Sequence, residues 1–243
     1  MKNEILRRLS ALALGLALLL NAAPLPQAFA VEDDTDASSS DSADSTDTTD
    51  KTVVTTADSD PTVTAAAANA PALDATAALL VSPESDMVLY EKNADEKRYP
   101  ASTTKIMTAL LTLENVSDLS AVVTAEASDF ENVTADSSNA GIKLGEQVTV
   151  KDLLYALMLP SANEAAYMLA RHVSGSWEQF VDMMNERAAE LGCTGTHFCN
   201  PCGLHEDDHY TTAHDLYRIA KQAMKDATFR DIVSTVQHRM AKT

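Results

Sequence analysis

Ser102 and Lys105 stand three residues apart at the opening of an apolar run, Arg98-Tyr99-Pro100-Ala101-Ser102-Thr103-Thr104-Lys105-Ile106-Met107-Thr108-Ala109-Leu110-Leu111. A serine hydroxyl is a weak nucleophile until a base removes its proton. A lysine desolvated beside the positive end of a helix can be that base. Pro100 is excluded from a helix interior and Ser102 suits a helix start, so the spacing predicts a helix beginning at or just before the serine. Residues i and i+3 share a helical face, which puts the hydroxyl and the amine within reach of each other. Two readings stand side by side here: a nucleophile with its base, or an N-cap serine followed by a surface lysine. Ile106, Met107, Leu110, Leu111 and Leu113 form a broad apolar band, the pattern of a helix buried on most sides.

A second candidate pair lies in Pro160-Ser161-Ala162-Asn163-Glu164, a tight connection between two helical stretches. Ser161 could relay a proton between Lys105 and a leaving group, and Asn163 could hold both Lys105 and a substrate carbonyl. The alternative is that Ser161 is simply the N-cap of the helix that follows.

The elements around these residues alternate in kind. Residues 77–81 and 87–90 flank the turn-rich Ser82-Pro83-Glu84-Ser85-Asp86 and predict a β-hairpin; Val122-Val123-Thr124 predicts a short strand. Helices are expected over 151–159, stopped by Pro160, then over 163–172, 177–191 and 211–224. Thr211 or Thr212 should cap the last of these, and Gly192 should end the one before it.

The chain has 243 residues and a formal net charge of −18, which argues against a nucleic-acid partner. Lys2, Arg7 and Arg8, the apolar run from Leu9 to Leu20 and Ala28-Phe29-Ala30 read as a signal peptide over residues 1–30, with an uncleaved anchor as the other reading. Both place the bulk of the chain outside the cytoplasm. Between residues 31 and 60 there are ten acidic residues against Lys51 alone, a composition that cannot bury a core. Residues 31–75 are therefore expected to be a disordered acidic Ser/Thr/Asp-rich tether, and 76–243 a folded domain. Within that domain His197, Cys199, Cys202 and His205 have spacing compatible with zinc, with Cys193 and His209 nearby; disulfide or free thiols is the competing reading for an exported protein.

Taken together, Ser102-Thr103-Thr104-Lys105 and Ser161-Ala162-Asn163 resemble the first two motifs of the penicillin-recognising serine enzymes. Leu89-Tyr90-Glu91-Lys92-Asn93, Tyr99 to Ala109, Val150-Lys151-Asp152-Leu153-Leu154, Asn200-Pro201-Cys202-Gly203-Leu204-His205 and His209 to Leu216 narrow the resemblance to the serine D-alanyl-D-alanine carboxypeptidases. The resemblance implies an α/β (α+β) fold of the β-lactamase/transpeptidase type, a helical subdomain beside an antiparallel sheet. It implies removal of the terminal D-alanine from peptidoglycan stem peptides without a metal or other cofactor, and acylation by β-lactam antibiotics. By position, Ser102 resembles the acyl-enzyme nucleophile, Lys105 the general base, Ser161 the proton relay and Asn163 a substrate-holding group. The backbone N–H of Ser102 would form half of an oxyanion hole.

Two departures accompany the resemblance. Ala162 stands where the family most often has Gly, a change of one methyl group. The family's third motif, Lys-Thr-Gly, has no counterpart but Lys242-Thr243, so the domain is expected to be incomplete, with its C-terminal sheet strands and any C-terminal membrane anchor missing from this chain. Other readings remain: a β-lactamase, although nothing identifies a residue that would activate water, and a non-catalytic homologue that binds cell-wall peptide.

Overall fold

In the computed structural model the described residues are 73–134 and 136–240. The signal peptide, residues 31–72 of the tether and Lys242-Thr243 lie outside them.

The described chain opens with the hairpin. Strands β1 (Ala78–Val81) and β2 (Val88–Lys92) pair antiparallel, Ala78 facing Lys92 and Leu80 facing Tyr90, with the register shifting between Leu80 and Val81. Asp86 makes the turn at a φ of 57°, in the left-handed region that Asp tolerates better than most residues. A second two-stranded antiparallel sheet joins β3 (Val122–Thr124) to β4 (Gln147–Thr149). β3 was expected; β4 was not, because three residues are too few to show an alternating pattern.

Among the described residues there are six α-helices: α1 (Lys105–Asn115), α2 (Val150–Met158), α3 (Asn163–Ser174), α4 (Trp177–Glu190), α5 (Ala213–Ala223) and α6 (Ala227–Ser234). Thr149, Ser176, Thr212 and Asp226 cap α2, α4, α5 and α6, each accepting a backbone N–H three residues on. Of the two threonines offered for α5, Thr212 is the cap. Gly175 closes α3 at a φ of 92°. Helix α6 went unanticipated, since only Phe229 and Ile232 of its residues are buried.

Helix α1 is the axis of the domain and packs against the five other described helices. Met107, Ala109, Leu110 and Leu111 meet Leu153 and Leu154 of α2, Met168 and Leu169 of α3, Phe180 and Met184 of α4, Ile219 of α5 and Ile232 of α6 in one core. Each large side chain buried in this way contributes about 1.5–3 kcal/mol of transfer free energy. Helix α5 also rests against β1, so the hairpin and the helical part share one folded body. The mixed α/β class read from the sequence is the class observed.

Candidate active site

The helix start is built in two steps. Ala101–Thr104 forms a turn of 3-10 helix, and Lys105 is the first residue of α1 proper. Ser102 is therefore not an N-cap: no side chain caps either segment, and the Ser102 hydroxyl instead accepts a hydrogen bond from Lys105 Nζ at 3.2 Å. The serine is exposed, whereas Lys105 is 2% exposed. A solvent-facing hydroxyl is thus backed by a buried amine.

Lys105 Nζ has two shorter contacts, 2.8 Å to Asn163 Oδ1 and 2.7 Å to the carbonyl oxygen of Cys202. Three acceptors suit an ammonium. A neutral amine has only two N–H groups; if these stay on the two shorter contacts, its lone pair faces Ser102 Oγ. Burial brings the Lys105 ammonium down from 10.5 to about 8, with smaller electrostatic influences of Cys202 and Glu164 acting in the opposite direction. The arrangement thus sets an amine of lowered proton affinity against the serine hydroxyl.

The Cys202 carbonyl is placed by Asn200, which is 2% exposed. Asn200 Oδ1 accepts the backbone N–H groups of Cys202, Gly203 and Leu204 at 3.3, 2.7 and 3.1 Å. Its Nδ2 donates to the Leu204 carbonyl and to Glu206 Oε1. Thr108 Oγ1 donates to the Pro201 carbonyl at 2.6 Å, fastening this loop to α1. On its other side His209 Nδ1 accepts the Cys199 N–H at 3.1 Å, which leaves Nε2–H to donate to Thr104 Oγ1 at 2.8 Å. Burial, and then the charges of His197 and His205, push His209 down to about 4, so it is neutral here. Asn200 and Gly203 had no role assigned from sequence, and Cys202 and His209 were weighed only with the zinc or thiol cluster; the Cys202 and His209 contacts to Lys105 and Thr104 span 97 and 105 positions and leave no local signature.

The second pair divides. Asn163, 4% exposed, meets Lys105 directly. Ser161 is not the cap of α3: the cap position is Ala162, without a side-chain bond, and Ser161 lies before it at a φ of 62°. Its buried Oγ has no hydrogen-bond partner among the described residues. Structure thus joins Ser102, Lys105 and Asn163 and leaves the Ser161 hydroxyl unengaged nearby in the chain. Ala162 is completely buried.

The three cysteines are free thiols, so no disulfide joins them. Burial pushes Cys193 up to about 12 and Cys199 up to about 11, and raises Cys202 as well, which keeps all three protonated. Among the described residues no group of three or more His, Cys, Asp or Glu side chains is gathered to hold a metal. His197 is occupied instead by the Asp208 carbonyl, at 2.7 Å from Nδ1.

Comparison with known proteins shows the family. The family model described as D-alanyl-D-alanine carboxypeptidase, Peptidase S11, matches residues 64–243. The chain is 36% identical over 165 residues to D-alanyl-D-alanine carboxypeptidase DacF of Bacillus subtilis, covering 68% of this chain and 42% of that protein. It is 43% identical over 155 residues to a D-alanyl-D-alanine carboxypeptidase of Streptomyces sp. strain K15, covering 60% and 53%. The crystal structure of the Streptomyces K15 DD-transpeptidase superposes with a TM-score of 0.64 at 38% identity, over 67% of this chain and 65% of that one. The chain thus spans about half the length of the curated relatives it matches.

Proposed function

The chain belongs to the D-alanyl-D-alanine carboxypeptidase family, Peptidase S11, and from that premise we propose that it serves a serine carboxypeptidase that removes the terminal D-alanine from peptidoglycan stem peptides. The observation that carries the reading is the buried Lys105 amine, held by Asn163 and the Cys202 carbonyl with Ser102 Oγ as its remaining neighbour.

Neutral Lys105 takes the Ser102 proton as Oγ attacks the carbonyl carbon of the penultimate D-alanine. The Ser102 backbone N–H and a second donor stabilise the oxyanion that forms. The Ser161 hydroxyl passes the proton from Lys105 to the departing amine, D-alanine leaves, and an ester on Ser102 remains. Lys105 then activates the water that hydrolyses this ester and regenerates the serine. Asn163 holds Lys105 through Oδ1 and offers Nδ2 to the substrate amide.

A β-lactam carries a reactive cyclic amide and acylates Ser102 by the same first step. Action on stem peptides requires an extracytoplasmic location, which accords with the signal-like residues 1–30 and the acidic tether to residue 75.

The test is D-alanine release from a peptide ending in D-Ala-D-Ala by the protein and by its Ser102→Ala variant. Release that depends on Ser102 supports the reading. Peptide binding without release, or release that survives the substitution, overturns it.

A further inference from the structure

The 3-10 turn that carries Ser102 has no side-chain cap, and neither has α1 behind it. Thr103 Oγ1 donates to the Pro100 carbonyl at 2.6 Å, which ties the turn only to its own lead-in. The tie that reaches across the fold joins Thr104 Oγ1 to His209 Nε2 at 2.8 Å, between residues 1% and 2% exposed. None of the steps above uses it.

The His209 ring is itself held firmly. Its Nδ1 accepts the Cys199 N–H at 3.1 Å, so the ring proton sits on Nε2 and points at Thr104. The Phe198 ring lies nearly perpendicular to it, with centroids 5.6 Å apart. Along the backbone, Tyr210 exchanges N–H bonds with His197, and Thr211 does the same with Arg98. The segment carrying His209 is therefore stitched on one side to the strand of chain leading into the 199–204 loop and on the other to the residues leading into the nucleophile turn. Burial keeps the imidazole neutral, and a neutral imidazole offers one donor and one acceptor on a rigid ring.

We propose that His209 is a positioning residue for Ser102, its ring bridging the Cys199 N–H and the Thr104 hydroxyl so that the turn 101–104 is fixed against the 199–204 loop. The same loop supplies the Cys202 carbonyl to Lys105 at 2.7 Å. Base and nucleophile are thus both referenced to one loop, Lys105 directly and Ser102 through Thr104 and His209. The assignment rests on Ser102 and Lys105 as the reacting pair of the proposed function. Their contact, at 3.2 Å, is the longest that Lys105 Nζ makes to its three acceptors, so a small shift of the turn breaks it. Misplacement by about 1 Å costs about 10²-fold in rate.

The test separates penicillin acylation into the affinity of the initial complex and the rate of acylation within it. Thr104→Val removes the hydroxyl at nearly constant volume and should slow the acylation step by roughly 10–100-fold, with the initial affinity unchanged. His209→Leu should do the same, and the double variant should be no slower than the slower single one. Thr104→Ser keeps the acceptor and should recover most of the rate. Full-rate acylation in Thr104→Val, or losses that multiply in the double variant, overturns the proposal. Should His209→Leu not fold, the two Thr104 variants decide alone. A second readout needs no acylation: hydrogen exchange of the Thr103 and Lys105 amides, bonded within the turn, should speed up in Thr104→Val while α3 exchanges as in the wild type. Unchanged exchange at those amides overturns the proposal. A wild-type protein that penicillin does not acylate, with exchange faster in Thr104→Val, sinks the catalytic reading alone.

Discussion

A β-carbon on Gly203 would sit 1.8 Å from the carbonyl oxygen of Ala101, the residue immediately before Ser102. Gly203 has a φ of 88°, and Ala101 itself is at 48°, so two left-handed residues meet back to back behind the serine. The contact lets the 199–204 loop approach closely enough for the Cys202 carbonyl to reach Lys105.

Gly203→Ala should therefore damage both stability and chemistry. Overlap with backbone that cannot swing aside, added to a left-handed alanine, costs about 2–4 kcal/mol. Thermal unfolding should shift down by roughly 5–15 °C, and acylation of Ser102 should slow in whatever protein remains folded. An unchanged Tm would show that the loop relaxes freely.

Ser161→Ala separates a relay from a cap. The Ser161 hydroxyl makes no hydrogen bond among the described residues, so its removal should alter stability by less than about 0.5 kcal/mol in denaturant unfolding. Loss of a proton relay should meanwhile lower D-alanine release by roughly 10²–10⁴-fold. A large stability loss with little loss of turnover would restore the capping role.

Asn200→Ala removes the acceptor shared by three backbone N–H groups. Leaving buried donors unpaired costs about 1–3 kcal/mol, and the Cys202 carbonyl loses its fixed position. The expected outcome is a lower Tm together with slower penicillin acylation, whereas a variant equal to wild type in both would remove Asn200 from the site.

What was readable in advance follows from distance along the chain. Ser102 with Lys105, and Asn163 on the next motif, sit at helix starts where three-residue spacing and proline placement speak directly. The Cys202 carbonyl carries no side-chain signal, and it reaches Lys105 across 97 positions. The same holds for His209, which meets Thr104 across 105. Of the two readings of Ser161, the cap is the one the fold removes, because Ala162 takes the cap position and Ser161 lies before it with a left-handed φ. Helices α2 to α5 were visible in their apolar periodicity, while β4 was too short and α6 too sparsely apolar to be seen.

His209 makes stability depend on acidity. Its folded-state value lies near 4 against an ordinary 6.5. Between those limits the unfolded chain binds the proton and the folded protein does not, so stability should fall as pH drops from 6.5 to 4. Tm measured across this window should decline in the wild type and decline less in His209→Gln. Parallel profiles would place the acid sensitivity elsewhere.

The most direct measurement of the site is the rate of penicillin acylation against pH, with the modified peptide identified by mass spectrometry. The adduct should lie on Ser102, be absent from Ser102→Ala, and form at a rate that rises with pH through about 8 as Lys105 loses its proton. An adduct on another residue, or a rate flat from pH 6 to 10, would contradict Lys105 as the base that activates Ser102.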